Sequence, residues 1–343
     1  MGRLLTGSAS CALPARAIGD EHPAGIARGN LIAAWLFALS LAVGGCGTAP
    51  GAAPHGPDAS APNEAGVAHP NTIPTLREVG SRGFFDLDGP FAAFDPSHPS
   101  VEIWIPNADA RAPVVVYAHG GAGYREDDRA RVDMFRRNGF ATISFDSYEM
   151  NGFSDWNFVT RRVANSGKQN MIWGVFTGAV EHAANTDAWD NRNIFLYGTS
   201  NGGRVVLYAG AEIDNASIRG IIAEAPAGSG FTLGDYDIPT IIPFGALDTW
   251  AGQSDTDYVW RRTYPDSPVS IEAWVNAQRA RDRPVRFIFY ENAGHLMFDG
   301  PLERVTVPRG EALSFSAFRG AGEGVLDRYE RDVMSFATEN LSR

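Results

Sequence analysis

Five residues, Gly198-Thr199-Ser200-Asn201-Gly202, separate two segments of different character. Before them, Asn193-Ile194-Phe195-Leu196-Tyr197 is an apolar run that reads as a buried strand. After them, Gly203-Arg204-Val205-Val206-Leu207-Tyr208-Ala209 reads as a helix. A strand that turns into a helix over so few residues needs glycine, because a Cβ would block the close approach of the two backbones. A strand followed directly by a helix in this way suits an α/β arrangement, with the Ser200 hydroxyl exposed at the end of a sheet. The pattern alone is weak, since glycine and serine are common, and its context decides.

That context alternates strands with helices from about Leu76 onward. Val101 to Ile105 alternates as an early antiparallel strand does. Pro113 to Ala118 is continuously apolar, as a central strand covered on both faces should be. Phe140 to Phe145, Ile218 to Ala223, Thr240 to Phe244 and Val285 to Tyr290 read as further buried strands. Helices are predicted over Asp127–Asn138 with Gly139 as the stop, over Met171–Ala184, over Ser270–Arg281 with Ser270 as N-cap, and over Glu323–Leu341. The predicted fold is one mostly parallel, doubly wound α/β domain over residues 76–343, flanked by helices. Its ligands should bind at the carboxyl ends of the strands.

The N-terminal residues have another character. Leu31 to Val43 is an apolar run too short to span a bilayer comfortably, but suited to the core of an export signal. Arg28 supplies its basic flank, and Val43-Gly44-Gly45-Cys46 resembles a lipobox. Residues 1–46 are therefore expected to be a signal peptide, with Cys46 as the lipidated residue. The protein is then exported and membrane-anchored in the cell envelope, or secreted if the lipobox is not used. Residues 47–75, rich in Ala, Pro and Gly, read as a tether without periodic apolar positions. The other of the two cysteines is Cys11, inside the expected signal, so no disulfide is predicted in the mature chain.

Hydrophobic residues make up 44% of the 343-residue chain and charged residues 20%, a balance that supports a sizeable core. The formal net charge is -11 and no basic stripe occurs, which argues against nucleic acid as a partner. No HExxH pattern and no Cys/His cluster points to a catalytic metal.

G-x-S-x-G between a strand and a helix is the pattern of a nucleophile elbow. A serine hydroxyl needs a base to take its proton, and the base needs an orienting acid. Two residues downstream stand just past predicted strand ends, in the order acid then base. Asp248 follows Phe244-Gly245-Ala246-Leu247, and His295 follows Asn292-Ala293-Gly294. A lone Asp there is usually a turn former, and a lone His in a glycine-containing loop is usually a surface residue. Three such placements in order are hard to obtain by chance. Asp255 and Asp257 are rival acids in a loop farther from any strand end. His182 is the rival base, predicted on a helix, while His55, His69 and His98 come too early in the chain.

His119-Gly120-Gly121-Ala122-Gly123 follows the central strand. Its glycines suit a loop that offers a backbone N–H to a carbonyl oxygen as it becomes negative. Gly121 is the expected donor, with Ala122 second and Asn201 as the donor from the elbow, while His119 is expected to brace the loop. A dinucleotide-binding reading of these glycines fails, because Glu126 stands where the third glycine would be. Aromatic residues gather in two loops, Phe153, Trp156 and Phe158 in residues 148–162, and Trp250, Tyr258, Trp260 and Tyr264 in residues 249–268. They either line a substrate pocket or pack as a satellite core.

Taken together, His119-Gly120-Gly121, Asn138 to Ser147, Gly198 to Gly203, Gly245 to Asp248 and Ala293-Gly294-His295 resemble the α/β-hydrolases of the dienelactone hydrolase-like group. The resemblance spans residues 76 to 343. It implies cleavage of a small-molecule ester, or a related acyl bond, through Ser200, His295 and Asp248, without a cofactor. Dienelactone hydrolase itself carries a cysteine nucleophile, so Ser200 points away from dienelactone and towards a general carboxylester. Two alternatives stay open at this level, a prolyl-oligopeptidase-type peptidase and an inactive envelope binding protein with the same fold.

Overall fold

The computed structural model describes residues 75–79, 84–107, 111–227, 233–250, 271–309 and 313–342, all within the unit formed by residues 66–343. Cys46, the expected signal and tether, His55, His69, Asp255, Asp257, Tyr258, Trp260, Tyr264 and Ser270 lie outside the described residues.

Seven strands form the main sheet. They are β3 (Val101–Trp104), β4 (Pro113–Ala118), β5 (Ala141–Phe145), β6 (Asp190–Thr199), β7 (Ile218–Glu224), β8 (Thr240–Gly245) and β9 (Val285–Tyr290). Their order is β3-β5-β4-β6-β7-β8-β9. Strand β3 runs antiparallel to β5 at the edge, and every other pairing is parallel. The chain leaves β4 on one side to form β5, then returns on the other side to form β6. The sheet order therefore reverses between β4 and β6, which is where a doubly wound sheet opens a crevice at its carboxyl edge.

Alternate residues of the central strands face two different layers. Val114, Val116, Ile194 and Leu196 pack on one side with Ile172 and Val175 of α4 (Asn165–Asn185), Val205 and Val206 of α5 (Asn201–Glu212) and Trp274 of α6 (Ile271–Arg279). Val115, Tyr117, Phe195 and Tyr197 pack on the other with Val132 and Phe135 of α1 (Glu126–Arg137) and Tyr329, Val333 and Phe336 of α7 (Val325–Glu339). Both faces are covered, so β4 reads as an unbroken apolar run instead of an alternating one. This sheet order, with helices on both faces and a serine at the sharp β6–α5 turn, is the α/β-hydrolase fold.

Helix ends follow local chemistry. Helix α1 has Glu126, Asp127 and Asp128 in its first turn and Arg136 and Arg137 in its last, complementing the helix dipole. Gly139 follows at φ +82°, a left-handed position that ends the helix. Helix α4 begins at Asn165, six residues before the predicted start at Met171. Asn, Ser and Gly in that first turn are poor helix formers. Burial of Gly167, Lys168 and Gln169 overrides the propensity.

Four segments without a predicted element are ordered in the fold. The hairpin β1 (Thr75–Val79) with β2 (Phe84–Asp88) precedes the sheet, and the hairpin β10 (Glu303–Arg309) with β11 (Leu313–Arg319) follows β9. Two short helices, α2 (Ser147–Met150) and α3 (Trp156–Arg162), follow β5, with Asp146 and Asp155 as side-chain N-caps. Tyr148, Val159, Val163, Met171 and Leu87 form a small separate core there, against which Phe153 and Phe158 pack. These loop aromatics therefore take the satellite-core role, whereas Trp156 remains 49% exposed.

Candidate active site

The turn between β6 and α5 is shaped by what cannot be there. A Cβ on Gly198 would lie 2.2 Å from the Gly202 carbonyl oxygen, and one on Gly202 would lie 2.2 Å from that of Ala118. Any larger residue would force the β6–α5 turn open or push β4 away. Ser200 itself is held at φ 54° and ψ −111°, a strained conformation for a residue with a side chain. The surroundings fix it from both sides. Its N–H donates to the Glu224 carbonyl at 2.9 Å, and its carbonyl accepts from the Ala227 N–H at 2.9 Å.

Ser200, His295 and Asp248 come together at the carboxyl edge of the sheet. The Ser200 Oγ lies 3.0 Å from His295 Nε2, and His295 Nδ1 lies 2.7 Å from Asp248 Oδ2. All three side chains are buried. The second Asp248 oxygen accepts the Trp250 N–H at 3.0 Å. An ionised Asp248 requires the proton on His295 Nδ1, which leaves Nε2 free to accept from the serine. The His295 backbone is tied to β11, its N–H donating to the Phe318 carbonyl at 2.8 Å and its carbonyl accepting from Gly320 at 3.2 Å. The hairpin that the sequence reading passes over thus holds the histidine loop.

The loop after β4 packs on the elbow. A Cβ on Gly120 would sit 3.5 Å from Ser200 Cβ, and one on Gly121 would sit 2.7 Å from Asn201 Nδ2. Among the described residues, no acceptor is placed on the backbone N–H of Gly121, Ala122 or Asn201. His119 is fully buried beneath this loop. Its Nε2 accepts the Ser147 N–H at 3.1 Å, so its proton is on Nδ1, which donates to the Gly120 carbonyl at 2.7 Å. The His119 ring therefore fastens the loop to α2 and lies apart from the serine–histidine pair.

Helix α4 supplies neighbours that the sequence reading does not single out. Gln169 donates to the Asn201 side-chain oxygen at 3.2 Å, and Asn201 donates to Asn165 Oδ1 at 3.3 Å. Lys168 runs its stem alongside Gly121 and is buried, with its ammonium donating to the Thr160 carbonyl at 2.8 Å. Burial without a neighbouring carboxylate lowers its pKa to about 8. The signal for this cluster is the polar run Asn165 to Gln169 at the start of a buried helix, visible only once the helix is known to start there. The rival base His182 lies on α4 with its ring against Phe94 and Trp189, at centroid distances of 5.5 and 5.8 Å.

A serine hydroxyl facing an imidazole that a buried carboxylate orients, beside unbonded backbone N–H groups, is equipped for nucleophilic attack on a carbonyl.

No protein-family model and no curated protein matches the chain. Solved structures similar to it include a candidate dienelactone hydrolase from Klebsiella pneumoniae subsp. pneumoniae, at 18% identity and a TM-score of 0.49, covering 73% of this chain and 97% of that one. Dienelactone hydrolase from Anabaena variabilis is 16% identical with a TM-score of 0.44, over 71% of this chain and 92% of that one. Est1E from Butyrivibrio proteoclasticus is also 16% identical with a TM-score of 0.44, over 71% and 94% of the respective chains.

Proposed function

We propose that the chain is a serine hydrolase that cleaves a carboxylic ester, or a related acyl bond, through a covalent acyl-enzyme. The observation that carries this reading is the continuous chain of contacts from Ser200 Oγ to His295 Nε2 and from His295 Nδ1 to Asp248 Oδ2.

In the proposed reaction His295 Nε2 takes the Ser200 proton as Oγ attacks the ester carbonyl carbon. The carbonyl oxygen becomes negative and meets the N–H groups of Gly121 and Asn201, with Ala122 as the further candidate donor. The tetrahedral intermediate collapses, the carbon–oxygen ester bond breaks, and the leaving alkoxide takes the proton from His295. Water then repeats the sequence on the acyl-enzyme, with His295 again as base, and frees the acid and Ser200. Asp248 keeps its charge throughout and stabilises the imidazolium.

Export and attachment through Cys46 belong to the same proposal and rest on the composition of residues 31–46. The enzyme would then act on small esters at the cell envelope. Turnover of a series of 4-methylumbelliferyl esters with graded acyl chains tests the activity, with the matching amides in parallel. Ester turnover that disappears in Ser200→Ala is the expected result. Turnover of the amides alone would favour a peptidase, and absence of both would count against hydrolysis.

A further inference from the structure

Beneath the triad lies a fully buried ion pair that the proposed chemistry does not use. Arg131 of α1 and Glu224 at the end of β7 both have wholly buried side chains. Arg131 Nε donates to Glu224 Oε2 at 2.8 Å and Nη2 donates to Oε1 at 3.0 Å. The hydroxyls of Tyr197 and Tyr329 converge on Oε2 at 2.8 and 3.1 Å. Burial alone would push the Glu224 carboxyl up, but the Arg131 charge and these hydrogen bonds outweigh it and hold it below its usual range. Glu224 is therefore ionised at neutral pH.

A buried ion pair is a weak source of stability, because well-packed apolar residues of similar volume often do as well. Its contacts show a different use. Glu224 Oε1 also accepts the backbone N–H of Met297 at 3.2 Å, two residues past His295. The Arg131 guanidinium lies 4.9 Å from the ring centre of Phe298, the next residue. Between His295 and Met297 stands Leu296 at φ 53°, a strained conformation that persists only where neighbours impose it. On the other side, the main-chain carbonyl of the same Glu224 accepts the Ser200 N–H.

We infer that Glu224 is a positioning residue for the proposed hydrolysis, fixing the serine turn through its main-chain carbonyl and the strained histidine loop through its carboxylate. One residue at the end of β7 thus references both reacting side chains to the same point. Arg131 keeps that carboxylate charged and in place, and fastens the loop again through Phe298. The inference rests on the serine-hydrolase reading, since the distance it controls is that between Ser200 Oγ and His295 Nε2.

The discriminating experiment replaces the pair by apolar residues. Arg131→Met combined with Glu224→Met keeps the volume and removes the pair itself, and because Asp127 and Asp128 also lose their contacts with Arg131, its folding is checked first by circular dichroism. It leaves the Met297 N–H without an acceptor. Its kcat on a methylumbelliferyl ester should fall on the order of 10²-fold, the cost of misplacing reacting groups by about an ångström, with KM within about twofold of the parent. Glu224→Asp keeps the charge and the strand but shortens the reach by one methylene, and should lower kcat at unchanged KM in the same way. Val180→Ala, a cavity in the C-terminal half of α4 on the opposite face of the sheet, should lower the melting temperature but leave kcat of the folded protein alone. Parent-like kcat in either Glu224 variant, or an equal kcat loss in Val180→Ala, would overturn the inference. Should the double variant not fold, kcat of folded Glu224→Asp decides. Ser200→Ala, assayed alongside, separates the two failures. Turnover surviving in Ser200→Ala contradicts the hydrolase reading itself, whereas its loss beside parent-like Glu224 variants contradicts only the positioning role.

Discussion

The Trp250 indole lies over the His295 imidazole, with ring centroids 4.9 Å apart and planes inclined by 16°. Its backbone N–H at the same time holds the free oxygen of Asp248. One residue therefore touches both partners of the serine, one by its ring and one by its main chain. An aromatic face stabilises a cation above it, and His295 becomes a cation in each proposed proton transfer. Trp250→Ala should lower kcat by roughly 2- to 30-fold, the range of an aromatic–cation contact worth about 0.5–2 kcal/mol. Trp250→Phe keeps an aromatic face and should lose less. Steady-state kinetics on one ester checks this, and a parent-like kcat in Trp250→Ala would show that the stack is packing only.

The elbow glycines make a stability prediction with an internal control. Gly202→Ala places a methyl against the Ala118 carbonyl of the neighbouring strand. It should destabilise by about 3 kcal/mol or more, because backbone atoms cannot move aside cheaply. Gly139→Ala meets nothing within 4 Å and should cost only about 1 kcal/mol, from its left-handed φ. Urea denaturation of the two variants gives the comparison, and equal midpoints would contradict the geometry described for the turn.

Lys168 ties stability to pH. Its burial disfavours the ammonium, so the pKa falls from 10.5 to about 8 on folding. Between those values the unfolded chain binds more protons than the folded one, so this group makes stability rise with pH across that window. Below it the full cost is present, about 3 kcal/mol for a shift of this size. Lys168→Met should therefore be more stable than the parent at pH 7, and the difference should shrink as the pH approaches 10. Denaturant midpoints at the two pH values test this. A variant less stable than the parent at pH 7 would show that the hydrogen bond to the Thr160 carbonyl outweighs the burial cost.

Processing at Cys46 is open to direct inspection. Protein isolated from a bacterial host should begin at Cys46 and carry added acyl mass by intact-mass analysis, with several chains needed for firm attachment. Cys46→Ser should abolish the added mass and leave ester turnover unchanged. An unmodified mature N-terminus would contradict the anchor but not the enzyme.

Much of this site is visible in the chain because strand ends are. Pro113–Ala118, Asn193–Tyr197 and Thr240–Phe244 are buried on both faces, so they read as continuous apolar runs, whereas Val285–Tyr290 is a half-buried edge strand with Arg286 exposed, legible from its aromatic residues. The residues just past them, His119, Ser200, Asp248 and His295, then stand out, and the fold gathers them at one edge. What the pattern hides depends on tertiary contact. The first turn of α4 has poor local propensity and exists because the elbow buries it. Glu224 looks like an ordinary polar end to a strand, and only the fold shows that Arg131, 93 residues earlier, meets its carboxylate. Strands β10 and β11 carry charged residues and Pro308, which weaken a strand signal, yet their pairing anchors the His295 backbone. Trp250 is visible as a loop aromatic, but its stacking on His295 follows from a fold that brings the β8 and β9 loops together.

Activation of Ser200 as a nucleophile by His295 is open to chemical labelling. The folded protein is treated with a fluorophosphonate and its peptides are mapped. One phosphonyl group per molecule is expected, on Ser200, with labelling lost in Ser200→Ala and slowed on the order of 10⁴-fold in His295→Ala, by analogy with other triads. Folded protein that takes no label, or takes it at another residue while Ser200 stays free, would show that Ser200 is not the nucleophile.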